Sequence, residues 1–126
     1  MKGDNSSGKL GEIYAAKYLA DNGYTVLVCN YHTKNAEIDI IARDESNDTL
    51  CFIEVKTRKD KLHGTGSDFI YKSKIDKMIL GARAYMVSQK TECDVRFDVI
   101  EVYGRIMPSG FVVSEINHIK NAFDAV

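Results

Sequence analysis

Apolar residues recur at spacings of three and four from Ile13 through Ala16, Leu19 and Ala20, and Gly23 follows them. That periodicity predicts a helix over residues 8–22 with the glycine as its C-terminal stop. At about 100° per residue, Glu12 projects between Ala16 and Leu19, on the inward stripe of this helix. Residues 24–31 are rich in β-formers, and the polar His32-Thr33-Lys34-Asn35 reads as a hairpin turn into a second strand over 37–42. Another polar turn, 43–48, precedes a third strand over 49–57. Short connections predict an antiparallel meander of these three strands. Leu50 to Val55 is apolar on both faces apart from Glu54, so the third strand is expected at the centre of the sheet.

Beyond a basic loop with two glycines, 58–66, the residues Ile75, Met78, Ile79, Ala82, Tyr85 and Met86 form a regular apolar stripe. They predict a second helix over 71–88. Residues 94–103 alternate as a strand with Val95, Phe97 and Val99 on one face. Pro108-Ser109-Gly110 turns the chain into a last strand over 111–116, and a short final helix is expected over 117–123. The long helical crossover makes the fourth strand parallel to the third. The predicted class is α/β, a mixed sheet flanked by helices.

Composition changes this picture little. The chain has 126 residues, 44% hydrophobic and 28% charged, which fits one soluble globular domain over 1–126. No apolar run approaches the roughly 20 residues of a membrane helix. The polar start, residues 1–7, lacks a secretory core and is expected to fray, so a cytoplasmic protein with no membrane association is predicted. Cys29, Cys51 and Cys93 have no paired spacing and are expected as buried free thiols. The histidines His32, His63 and His118 are scattered, without ligand spacing. Net charge is −1, but residues 56–77 hold seven Lys or Arg against three Asp, a local +4 that leaves −5 elsewhere. Arg58, Lys59, Lys61, Lys72 and Lys74 are the candidate contacts to a phosphate backbone. Arg96 and Asp98 share a strand face and are expected to form a structural ion pair.

The stretch from Ala36 to Lys56 is where charge is hardest to explain. It sets Glu37, Asp39, Glu54 and Lys56 in segments otherwise apolar enough to be buried, where each uncompensated ion costs several kcal/mol. Glu54 and Lys56, two apart in a strand, leave the same face with α-carbons about 7 Å apart. Asp39 on the neighbouring strand and Glu12 from the covering helix are expected at the same point. Converging carboxylates raise a pKa or recruit a cation, and Mg²⁺ suits carboxylate oxygens while retaining waters. Glu12, Asp39 and Glu54 are therefore the candidate ligands of Mg²⁺ or Mn²⁺, with Lys56 placed to orient a water or to neutralise developing charge. Glu37 is assigned a supporting ion pair.

An acid on one strand followed by Glu-x-Lys on the next resembles the PD-(D/E)XK nuclease superfamily, whose restriction-endonuclease-like αβββαβ order matches the predicted one. The helical Glu12 is similar to the arrangement in archaeal Holliday-junction resolvases. Nearly end to end, the chain resembles the YraN family. The stretches that carry this are Gly8-Lys9-Leu10-Gly11-Glu12, Tyr18-Leu19, Gly23-Tyr24, Asn30-Tyr31, 37–42, 52–58, Lys74, 96–99 and 118–123. Ala36 departs from the glycine the family usually has before Glu-Ile-Asp. The superfamily resemblance implies metal-dependent hydrolysis of phosphodiester bonds, with DNA, branched or under repair or recombination, as the preferred substrate. Junction-cutting relatives imply a homodimer. The rival reading is a nucleic-acid-binding module that keeps the scaffold without turnover.

Overall fold

A computed structural model describes residues 7–60 and 72–124. The elements run α1 (Ser7–Asp21), β1 (Tyr24–Thr33), β2 (Ala36–Asp44), β3 (Thr49–Arg58), α2 (Lys72–Gln89), β4 (Asp94–Met107) and β5 (Gly110–Phe123). Lys61, His63 and residues 1–6 of the expected frayed start lie outside the described residues. Gly23 ends α1 with φ at +88°, a left-handed value that costs glycine little.

The strands form one sheet in the order β1-β2-β3-β4-β5. β3 and β4 are parallel, and the other neighbours are antiparallel. The expected meander, central β3 and parallel crossover are all present. One helix lies on each face. On one, Ala15 and Leu19 of α1 bury Ile40, Ala42, Cys51, Ile53, Ile100 and Val102. On the other, Met78, Ala82 and Tyr85 of α2 bury Ile38, Ile41, Leu50, Phe52 and Phe97. Burial on both faces is what the continuous apolar run of β3 requires. This is a mixed α/β architecture consistent with the restriction-endonuclease-like order.

Two expectations fail. Residues 117–123 are no helix: they continue β5, pairing Asn117 with Glu101, His118 with Ile100, Ile119 with Val99 and Phe123 with Phe97. Ile119, Ala122 and Phe123 have helical spacing, but the open edge of β4 offers a full ladder of hydrogen bonds, and that tertiary demand overrides a local pattern. Cys29 is exposed rather than buried, because β1 is an outer strand; Cys51 is buried and Cys93 partly so, ahead of β4.

Candidate functional site

The alternation of β2 slips at Asp39. Ile38 and Ile41 face α2 while Ile40 and Ala42 face α1, so a strand with a strict period of two has changed phase between Ile38 and Ile40. Across from it, the ladder to β1 pairs Cys29 with Ile40 and Tyr31 with Ile38, skipping Asn30. Asn30 is left-handed, φ +56°, a conformation Asn tolerates better than most residues. On the other side, the ladder to β3 stops at Ile40 and Ile53. Beyond it the strands part, and the Asp39 carboxylate fills the gap by accepting the Val55 N–H through Oδ2 at 2.8 Å. The distortion thus places an acid at the seam between two central strands.

Glu54 lies one residue past the last position at which β3 pairs with β2, while on its other side it still pairs with Val99 of β4. Val55 packs against the α1 face, so Glu54 and Lys56 leave toward α2. The Glu54 side chain is 14% exposed, and Lys74 Nζ of α2 stands 3.3 Å from its Oε1. That is close enough for an ion pair but without hydrogen-bond geometry, because Oε1 has no hydrogen-bond partner. Burial, and then the Asp39 charge beside it, push the Glu54 carboxyl up to about 7, with Lys74 acting in the opposite sense.

Glu12 approaches Asp39 from the α1 side. Gly11 makes this possible: a Cβ there would meet the Thr57 side chain, so only glycine lets the first turn of α1 settle on the end of β3. Burial first, then the Asp39 charge, raise the Glu12 carboxyl, while a hydrogen bond from the Asn30 side chain lowers it. Asp39 is the shared neighbour of two acids that arrive from opposite faces of the sheet. Among the described residues no three His, Cys, Asp or Glu side chains are grouped as a metal ligand set. The Asp39–Glu54 pair by itself suits Mg²⁺, which takes one or two protein carboxylates and completes its shell with water and substrate phosphate. The unbonded Oε1 gives that fit a structural basis.

Among the described residues, the buried side-chain polar atoms with no hydrogen-bond partner are Glu54 Oε1, Thr57 Oγ1 and Arg58 Nε. All belong to the last five residues of β3. Buried polar groups are satisfied in the large majority of cases, so such a concentration calls for an explanation. Lys56 occupies the position paired with the buried Glu101 of β4. Glu101 itself accepts hydrogen bonds from Tyr103 Oη at 3.2 Å and Asn117 Nδ2 at 2.9 Å.

The remaining expected contacts are dispersed. Lys72 pairs with Asp76 on exposed α2 surface. Lys59 is exposed and lines a cavity of about 440 Å³ beside Arg105 and Val112 of the β4–β5 hairpin. Arg58 is half-buried, and Glu37 is exposed near the β1–β2 turn. Sequence reading missed Asn30 as a partner of Glu12, Glu101 beside Lys56, and His118. The signal for Asn30 and His118 was their place in the matching stretches; for Glu101 it was an acid in an otherwise apolar strand.

The expected Arg96–Asp98 pair exists, and it is larger than expected. Arg96 Nε donates to Asp98 Oδ1 at 2.9 Å, and its other nitrogens reach Asp98 Oδ2, Asp44 Oδ2 and Tyr24 Oη. His118 Nε2 lies 2.8 Å from Asp98 Oδ2, and its Nδ1 3.1 Å from Tyr18 Oη. The Asn121 N–H completes the shell of Asp98. Against the effect of burial, these bonds hold the Asp98 carboxyl below its ordinary range.

Known proteins of similar sequence match most of this chain over most of their own length. A "UPF0102 protein" of Chlorobium chlorochromatii is 44% identical over 117 residues, 92% of this chain and 89% of that protein. One from Alkaliphilus oremlandii is 40% identical, covering 92% and 96%. "UPF0102 protein FP2501" of Flavobacterium psychrophilum is 37% identical, covering 98% of each. A model of the uncharacterised protein family UPF0102 matches residues 11–102, which run from within α1 through most of β4 and include Glu12, Asp39, Glu54 and Lys56. The chain therefore belongs to the UPF0102 family, the YraN family whose motifs its sequence carries.

Proposed function

We propose that this protein is a metal-dependent nuclease that hydrolyses phosphodiester bonds in DNA, with the Asp39–Glu54 pair as its metal seat. The observation that carries the reading is the state of Glu54: a buried carboxyl crowded by Asp39, raised to about 7, with an oxygen left without a hydrogen bond. A buried acid that gains little in the fold itself is a candidate for a functional site. Bound there, Mg²⁺ or Mn²⁺ would supply a Lewis acid and a water of lowered pKa. Asp39 is held in orientation by the Val55 N–H and contributes one carboxylate; Glu54 contributes the second. Glu12 reinforces the negative potential around Asp39 from the α1 side. Lys56 leaves the same strand face as Glu54 and offers a positive charge to the phosphoryl oxygens as negative charge builds on them. Branched or recombining DNA is the preferred substrate.

The test is cleavage of single-stranded, duplex and branched DNA with Mg²⁺ or Mn²⁺. Asp39→Asn and Glu54→Gln should each lower cleavage by at least about 10³-fold, the scale of losing a group that stabilises the transition state. Absence of cleavage on every substrate with either metal overturns the proposal. The absence of a three-acid ligand group among the described residues favours one second reading, a nucleic-acid-binding module without turnover. In that case salt-dependent binding survives Asp39→Ala and Glu54→Ala.

A further inference from the structure

The position of Lys74 carries a consequence for how the acid pair handles its cation. Its ammonium is 3.3 Å from Glu54 Oε1, the side chains being 29% and 14% exposed. It approaches the same oxygen that lacks a hydrogen bond, so it fills the charge requirement of Glu54 without satisfying its bonding geometry. A buried or half-buried ammonium and a divalent ion cannot both sit against one carboxylate oxygen, since their mutual repulsion at that range is severe. Lys74 stands at the start of α2, on a flexible four-carbon stem, and is exposed enough to turn to water. Lys77, one turn on, is exposed and pairs with no acid among the described residues. The two lysines are three apart on the helix, about 5 Å along its axis.

We infer that Lys74 is a tethered cation that occupies the metal seat of Glu54 when the site is empty and must leave it for a divalent ion to bind. This rests on the nuclease reading of the Asp39–Glu54 pair and adds its regulation. A displaced Lys74 is free for an anion, and the phosphate backbone of a nucleic acid is the anion such a site would meet. Nucleic acid and metal therefore favour each other: phosphate draws Lys74 off Glu54 and opens the seat, and by linkage the metal strengthens phosphate binding by the same factor. The protein alone keeps its acids neutralised by its own lysine and loads the ion together with substrate.

The experiment is Mn²⁺ binding by isothermal titration calorimetry, without nucleic acid, to the full chain and its variants. Lys74→Met should bind Mn²⁺ roughly tenfold more tightly than the wild type, the scale of one charge-assisted contact removed as a competitor. Lys77→Met changes the charge of the same helix equally but should leave the affinity within about twofold, which separates the seat from general electrostatics. Adding a short single-stranded oligonucleotide should tighten Mn²⁺ binding to the wild type and not to Lys74→Met. Equal affinities for the wild type and folded Lys74→Met, with Asp39→Asn abolishing both, would overturn the role of Lys74 and leave the metal seat standing. No Mn²⁺ binding to either protein at millimolar concentration overturns the seat and this inference together.

Discussion

Two buried polar clusters lie in the same sheet and have opposite character. Around Asp98, every strong group is answered: Arg96 forks across Asp98 and Asp44, His118 and the Asn121 N–H complete the carboxylate, and Tyr24 takes a further guanidinium donor. Around Glu54, two carboxylates face each other, one oxygen is unbonded, and the opposing lysine stands off at 3.3 Å. The first cluster joins β4 to β5, to α1 through Tyr18 and to the end of β2 through Asp44, so its work is structural. The second has more charge than the fold can use. Burial costs both alike; only the first recovers it internally, and the difference marks which of them is built to receive something from outside.

Breaking the satisfied cluster should have the largest effect. Asp98→Asn leaves Arg96 with a weakened partner and takes the carboxylate away from His118, and removing one member of a buried ion pair costs about 3–5 kcal/mol. Urea unfolding should show that loss, while Mn²⁺ affinity at a temperature where the variant is folded stays unchanged. A loss of metal binding without a loss of stability would reverse the assignment of the two clusters.

The clusters also carry opposite pH signatures. Asp44, despite its burial, is taken down to about 2 by Ser46 and Arg96, below its unfolded value of 3.8, and Asp98 moves in the same direction. Their stabilisation is present above pH 4 and is lost as pH falls toward 2. Glu54 is raised from 4.5 to about 7. The folded protein then binds the extra proton, so that contribution is full below pH 4.5 and disappears as pH rises through 7. Glu54→Gln fixes the neutral form. It should match the wild type near pH 4.5 and exceed it at pH 8 by on the order of 2 kcal/mol, the cost of ionising a crowded carboxyl. Thermal melts at the two pH values decide it; a variant less stable at pH 8 would mean that the ionised Glu54–Lys74 pair supports the fold.

How much of this was legible in the chain follows the same division. Periodicity located both helices and the first four strands, because Leu19, Met78, Ala82 and Phe52 report burial through their spacing alone. The apolar setting of Glu54 and Asp39 identified them as expensive acids, and the structure sets them side by side. Hidden from the sequence was everything depending on register or distant pairing. The alternation of β3 carries Glu54 to the α2 face while Glu12 arrives from α1 on the other, and the phase slip of β2 falls at Asp39 between them. His118 meets Asp98 across 20 residues and Tyr18 across 100, and no local spacing encodes that. The last turn of the chain read as helical because the edge it completes is formed elsewhere.

A third kind of charge pair sets the scale for the other two. Lys72 and Asp76, one helical turn apart, are separated by 3.3 Å, with side chains 87% and 55% exposed. Water solvates both ions before and after folding, so the pair contributes only about 0.3–0.5 kcal/mol. Lys72→Ala should shift the melting temperature by no more than about 2 °C, and the shift should vanish in 1 M salt, where the screening length falls to about 3 Å. The Arg96–Asp98 contact should lose little under the same salt, because no ions enter a pair whose carboxylate is fully buried. A salt-sensitive Asp98 would show that its cluster opens to solvent, and the contrast between a closed ion network and an open acid pair would then have to be redrawn around access instead of hydrogen bonding.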